Sequence, residues 1–166
     1  MTACCHSFSC TGMRVLTDIA IMNVAMKELS VREAEQILID RYIRPARKER
    51  LAYELSNEKK RYRALDRFCH GAQDLIDRRT IVMSGTGLLE RSAFQKYIAA
   101  RKGSGMILSP DPSIDGLSLP VTEGVNACMI CLDAAVFVTE QFALVKEEAM
   151  KGGTGAYLLE RGDNGN

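Results

Sequence analysis

Asp133-Ala-Ala-Val-Phe-Val-Thr-Glu-Gln-Phe-Ala-Leu-Val-Lys-Glu-Glu-Ala-Met150 is the stretch on which the fold turns. Its first part, Ala134–Val138, is a continuous apolar block with β-branched and aromatic members, the texture of a buried strand. Its second part, Glu140–Met150, spaces Phe142, Val145 and Ala149 as one face of a helix does, and Gly152-Gly153 would close that helix. A single long helix over 121–150 is the competing reading, since the apolar residues are compatible with it. The strand followed by a helix is preferred because five apolar residues in a row form a block and not a stripe.

Working outward, Val121–Leu132 reads as a helix and Met106-Ile-Leu108 as a short strand stopped by Ser109-Pro-Asp-Pro112. Thr80-Ile-Val-Met83 is a β-type run. It leads through Ser84-Gly-Thr-Gly87 into a helical pattern over Leu88–Lys102, and Ala156-Tyr-Leu-Leu159 is a last strand. Strands alternating with helices predict an α/β, Rossmann-like domain over residues 79–166, with a small parallel sheet of about four strands flanked by helices.

Residues 1–78 read as a helical N-terminal arm. Residues 13–29 repeat apolar groups at helical spacing, and Ser30-Val-Arg-Glu33 has the form of a capping box that starts a second helix. Pro45 interrupts that helix by removing a donor, after which Ala46–Arg78 is helical nearly throughout. The arm's apolar stripe has no evident cover in the rest of the chain, so a homo-oligomer is expected. The helix pair around Leu29-Ser-Val-Arg-Glu-Ala34 also admits a DNA-reading helix-turn-helix, against a simple packed pair.

Of 166 residues, 46% are apolar and the formal net charge is +1, which excludes a disordered chain. No apolar run reaches the ~20 residues of a bilayer span, and no export signal opens the sequence, so a cytoplasmic protein without membrane contact is expected. The six cysteines are then reduced thiols. A zinc site from Cys69, His70, Cys128 and Cys131 is conceivable, but the last two sit on an apolar helical face and read as buried thiols; no metal is expected. Charge is uneven: residues 41–102 carry 16 basic and 7 acidic side chains, net +9, whereas residues 123–166 are net −4. The stripe through Arg47, Lys48, Lys60, Arg61 and Arg63, interleaved with Tyr42, Tyr53 and Tyr62, could bind nucleic acid or an acidic protein partner. The other reading of the same stripe is a solvated helix face.

Parallel sheets bind ligands where strands end and helices begin. On the predicted topology Ser84, Gly85, Thr86 and Gly87 would approach a phosphate or ribose, with Asp111, Asp115 and Asp133 near a ligand. Glu148, at the flank of its helix's buried face, would be a pocket carboxylate, and Asp111 would assist it as a second catalytic group. No cofactor is indicated.

The run from Asp133 to Thr139, through Glu148-Ala-Met-Lys-Gly-Gly153 to Ala156-Tyr-Leu-Leu159, resembles the last βαβ unit of nucleoside deoxyribosyltransferase-like, Rossmann-type domains. The resemblance covers residues 80–160, with Phe142-Ala-Leu-Val145 where the family carries Gly-Thr. It implies a nucleoside or nucleotide ligand and attack on an N-glycosidic bond, with Glu148 in the nucleophile's place. Two functions therefore stand open: binding or processing a nucleotide-like small molecule, or a non-enzymatic interaction protein that works through the basic helix 41–63.

Overall fold

The structure, a computed structural model, describes residues 28–148 and 154–161. Four helices come first: α1 (Val31–Tyr42), α2 (Pro45–Ser56), α3 (Glu58–Asp66) and α4 (Phe68–Leu75). Ser30 starts α1 with a reciprocal capping box: its hydroxyl accepts from the Glu33 amide at 3.2 Å and its own amide donates to Glu33 at 2.9 Å. Pro45 opens α2 at its first turn, where the missing N–H costs nothing. Asn57 caps α3 by accepting from the Lys59 amide. Arg44 closes the layer by donating from Nε to the Ile76 carbonyl at 2.9 Å and from Nη2 to Gln73 at 2.6 Å, covering carbonyls at the end of α4.

The second half supplies β1 (Ile81–Thr86), α5 (Ser92–Ala99), β2 (Ser104–Leu108), β3 (Ser118–Pro120), α6 (Val121–Ile130), β4 (Ala135–Val138), β5 (Phe142–Lys146) and β6 (Gly155–Glu160). The six strands form one sheet in the order β1-β6-β5-β4-β2-β3, and every neighbouring pair is antiparallel. This corrects the expectation of a parallel sheet of about four strands. The residues responsible are Glu140–Met150, expected as a helix, of which Phe142–Lys146 is β5. Thr139 makes the difference. Its hydroxyl accepts from the Gln141 and Phe142 amides at 3.1 and 2.9 Å and so folds a tight hairpin turn that returns the chain beside β4. A hairpin in place of a crossover helix makes the pair antiparallel.

Helices cover both faces. Met106, Leu108, Val136, Val138, Ala143, Val145 and Leu159 pack under α1–α4, whereas Ile107, Ala135, Phe137, Leu144, Ala156 and Leu158 pack under α5 and α6. The helices expected as an arm are thus one of three layers, and their apolar stripe is covered by the sheet of the same chain. Burial on both faces is also why β4 and β5 are continuous apolar runs, a pattern more common in parallel sheets.

Phe137, fully buried on β4, lies against two glycines. A Cβ on Gly105 would stand 2.7 Å from its ring and 2.6 Å from the Val138 carbonyl oxygen, and a Cβ on Gly124 of α6 would fall inside the ring's van der Waals surface. Replacing Gly124 with Ala should therefore destabilise the protein by about 1–3 kcal/mol, even though Ala favours helix by about 1 kcal/mol. Urea unfolding measures it, and the loss should shrink in a Phe137→Leu background; a Gly124→Ala midpoint equal to the parent's would mean that the ring does not set the spacing of α6.

Candidate functional site

The basic segment folds into α2 and α3, and the structure divides its cations into two groups. Arg61 is internal: Nε donates to Glu35 of α1 at 2.8 Å, and the guanidinium forms a bidentate pair with Asp115, through Nη1 and through Nη2 at 3.0 Å. Asp115 also accepts from the Ser109 amide at 3.1 Å, which makes it an anchor of the 109–117 loop. Lys48 donates to the Asp40 carbonyl near the end of α1. Lys60 lies 4.4 Å over the Tyr53 ring and donates to its hydroxyl. Arg47 and Arg63 are exposed, and their side chains have no hydrogen bond or ion pair among the described residues.

Arg47 belongs to a groove of about 480 Å³ between α2 and α4. Leu51 and Leu75 form its floor; Arg47, Arg50 and Arg67 carry its positive rim beside His70, and Asp66 and Asp74 add two carboxylates. Gly71, where α4 is kinked (φ −133°, ψ 21°), lines the groove, and a Cβ there would meet nothing within 4 Å. Two of the rim arginines are tied by Glu54: Arg50 Nε donates to it at 2.9 Å and Arg67 Nη2 donates to its other oxygen. Burial alone would raise the Glu54 pKa, but these hydrogen bonds and the two positive charges outweigh it and hold the carboxyl below its usual range. His70 Nε2 stands 3.1 Å from Glu148, whose amide donates to the Cys69 carbonyl.

The residues expected to form a nucleotide pocket are dispersed. Ser84, Gly85 and Thr86 are not a strand-to-helix phosphate turn: they pair with Tyr157, Ala156 and Gly155 in the edge strand β1. Gly87 (φ 67°) opens a three-residue 3₁₀ turn over Leu88–Glu90, too short for a helix N-terminus. Glu148 follows β5 and stands on no helix. Asp111 is in a separate network, accepting from the Ser113 amide at 2.8 Å and from the Cys131 thiol at 3.9 Å, so the two expected catalytic carboxylates do not share a site. Asp133 offers its backbone carbonyl to Lys146 Nζ at 3.0 Å. Among the described residues no group of three or more His, Cys, Asp or Glu is placed to hold a metal, and no helix is long and apolar enough to cross a membrane. Cys4, Cys5, Cys10 and residues 13–27 of the helix expected over 13–29 lie outside the described residues, and Glu28 and Leu29 belong to no helix.

Sequence reasoning did not single out Arg67, Asp74, Glu54 or Lys146. Arg67, His70, Gly71 and Asp74 recur at helical spacing opposite the buried Phe68, Cys69, Ala72 and Leu75, a signal that the groove face could have shown. Comparison with family models, curated proteins and solved structures finds no match to this chain. The βαβ unit that carried the family resemblance is an antiparallel β4–β5–β6 meander. What fold and site define is a three-layer α/β/α domain with a charged groove on its helical face.

Two stability measurements follow. Arg61→Gln should cost about 2 kcal/mol, since it leaves two partly buried carboxylates without their cation, and it should leave ligand capture by the folded protein unchanged. Reduced capture at unchanged stability would return Arg61 to the binding surface. Glu54 contributes stability that is complete above the ordinary glutamate pKa and is lost as pH falls through its lower folded value. Glu54→Gln should therefore be less stable than the parent at pH 7, with the gap closing below about pH 4.

Proposed function

We propose that this chain is a non-enzymatic interaction module that captures an acidic segment of a protein partner in the groove between α2 and α4. The observation that carries the reading is the combination of an apolar floor, Leu51 and Leu75, with a rim on which the Arg47 side chain has no partner among the described residues. A carboxylate beside an apolar side chain would satisfy both at once. A phosphate backbone suits the groove less well, because it brings no apolar group to cover Leu51 and Leu75. Arg61 and Lys48, part of the stripe that suggested nucleic acid, are engaged inside the chain. The nucleotide reading loses its fold argument, since an antiparallel sheet has no common carboxyl end at which a crevice opens.

Fluorescence anisotropy tests the proposal with a labelled Asp/Glu-rich peptide containing leucine, a Lys-rich counterpart, and single-stranded DNA and RNA oligomers. The acidic peptide should bind, with a Kd that rises with salt. Arg47→Glu should weaken it about tenfold, equivalent to about 1.4 kcal/mol. Gly71→Gln, which projects a side chain into open groove, should also weaken binding while leaving the unfolding midpoint unchanged. Tighter binding of the oligomers than of the acidic peptide, or acidic binding indifferent to both substitutions, would overturn the assignment.

A further inference from the structure

The two edges of the sheet are built differently. β3 is three residues long and ends in Pro120, features that discourage a further strand from adding to it. β1, at the opposite edge, runs six residues, Ile81-Val-Met-Ser-Gly-Thr86, with no charge and no proline, and Val82, Ser84 and Thr86 are exposed. Its one irregularity, a register shift between Ile81 and Met83, lies at its start. Hydrogen bonding fixes which way the backbone points. The Glu147 amide donates to the Gly155 carbonyl at 2.9 Å, so Gly155 and Tyr157 bond toward β5, and the alternation of an antiparallel ladder turns Ala156 and Leu158 toward β1. Their partners there are Gly85 and Met83. The Val82 carbonyl, the Ser84 amide and carbonyl, and the Thr86 amide are therefore directed away from β6. Among the described residues the one group that meets them is the exposed Arg91 guanidinium, 3.3 Å from the Ser84 carbonyl.

A strand that offers donors and acceptors in this order can pair with itself. Laid antiparallel about a two-fold axis at Ser84, two copies exchange both Ser84 bonds, and the Thr86 amide of each meets the partner's Val82 carbonyl. A slip by two residues breaks the Ser84 exchange. Charge on the flanks selects the same arrangement. Arg78 stands six residues before Ser84 and Glu90 six residues after it, both exposed and without a hydrogen bond or ion pair among the described residues. An antiparallel seam brings Arg78 of one copy to the end where the partner's Glu90 lies, whereas a parallel seam would set like charge beside like. We infer that the free edge of β1 is a self-association surface, on which a second copy of this chain docks strand to strand and joins two six-stranded sheets into one. Arg91 gives up the Ser84 carbonyl as the partner's amide takes it. Because the pairing is isologous, neither copy keeps an open β1 edge and the assembly stops at two.

Sedimentation equilibrium of the full chain under reducing conditions tests this. The parent should show a concentration-dependent equilibrium between monomer and dimer with no larger species. Ser84→Lys sets two like charges opposite each other on the axis, at an exposed position; it should raise the dimer dissociation constant about tenfold or more while the far-UV spectrum stays the same. Arg78→Glu and Glu90→Arg should each weaken the dimer several-fold, and both reversals in one chain should restore it, an outcome that a folding defect would not give. Capture of an acidic peptide through Arg47 should be equal in parent and variants, so this result and that of the groove are read separately. A chain that is monomeric at every concentration, a dimer indifferent to Ser84→Lys, or a double reversal no tighter than the single ones would overturn the inference.

Discussion

Phe137 sets the distance between the sheet and the layer beneath it. Its ring occupies the space that side chains at Gly105 and Gly124 would need, so α6 can approach β4 and β2 only because both positions lack a Cβ. From there an aromatic chain runs outward: Phe137 is tilted against Phe142 at 6.3 Å, and Phe142 meets Tyr97 of α5 edge to face at 5.7 Å. Tyr97 donates to Glu160 of β6 and lies under the Arg101 guanidinium, which itself pairs with Glu160 at 2.7 Å. One ring on the central strand thus orders α5, α6 and the last strand together.

The helical layer on the other face is held by a different kind of contact. Apolar burial seats α1–α4 on the sheet, but their mutual positions depend on cations spent inside the chain: Arg61 between α1 and the 109–117 loop, Arg44 on the end of α4, Arg67 on Glu54. An apparently basic surface is in this way mostly structural. Of that stripe, Arg47 and Arg63 remain unengaged among the described residues, and Arg47 stands on the rim of the groove that Gly71 also lines. Charge along the sequence overstated how much of the segment faces solvent.

Local signals were legible where one residue decides the outcome. Ser30 with Glu33, Pro45, and the runs Met106–Leu108, Ala135–Val138 and Ala156–Leu159 became a cap, a helix start and strands as their chemistry demands. Phe142–Lys146 misled because a strand buried on both faces has no alternation, and its apolar residues also fit a helical face. That one segment reversed the sheet from parallel to antiparallel, and with it went the geometry that had drawn Ser84–Gly87, Asp111 and Glu148 toward one pocket. Thr86 and Gly87 still line a cavity, but Asp111 and Glu148 do not line it with them. Pairing across the fold cannot be read from a position in a chain.

The sheet order carries a consequence for synthesis. Among the described residues β1 is the first strand in sequence and pairs only with β6, so Ile81 must wait for Leu159 before its ladder can close. The β4–β5 hairpin needs a loop of only a few residues, whereas closing β1 on β6 joins segments some seventy residues apart and bears the larger loop entropy. On the ribosome α1–α4 emerge early but find no completed floor, and the uncharged strand Ile81-Val-Met-Ser-Gly-Thr86 stays unpaired until the last strand leaves the exit tunnel. During that interval the strand has an unpaired backbone edge open to neighbouring chains, and slower translation through residues 87–160 lengthens that exposure.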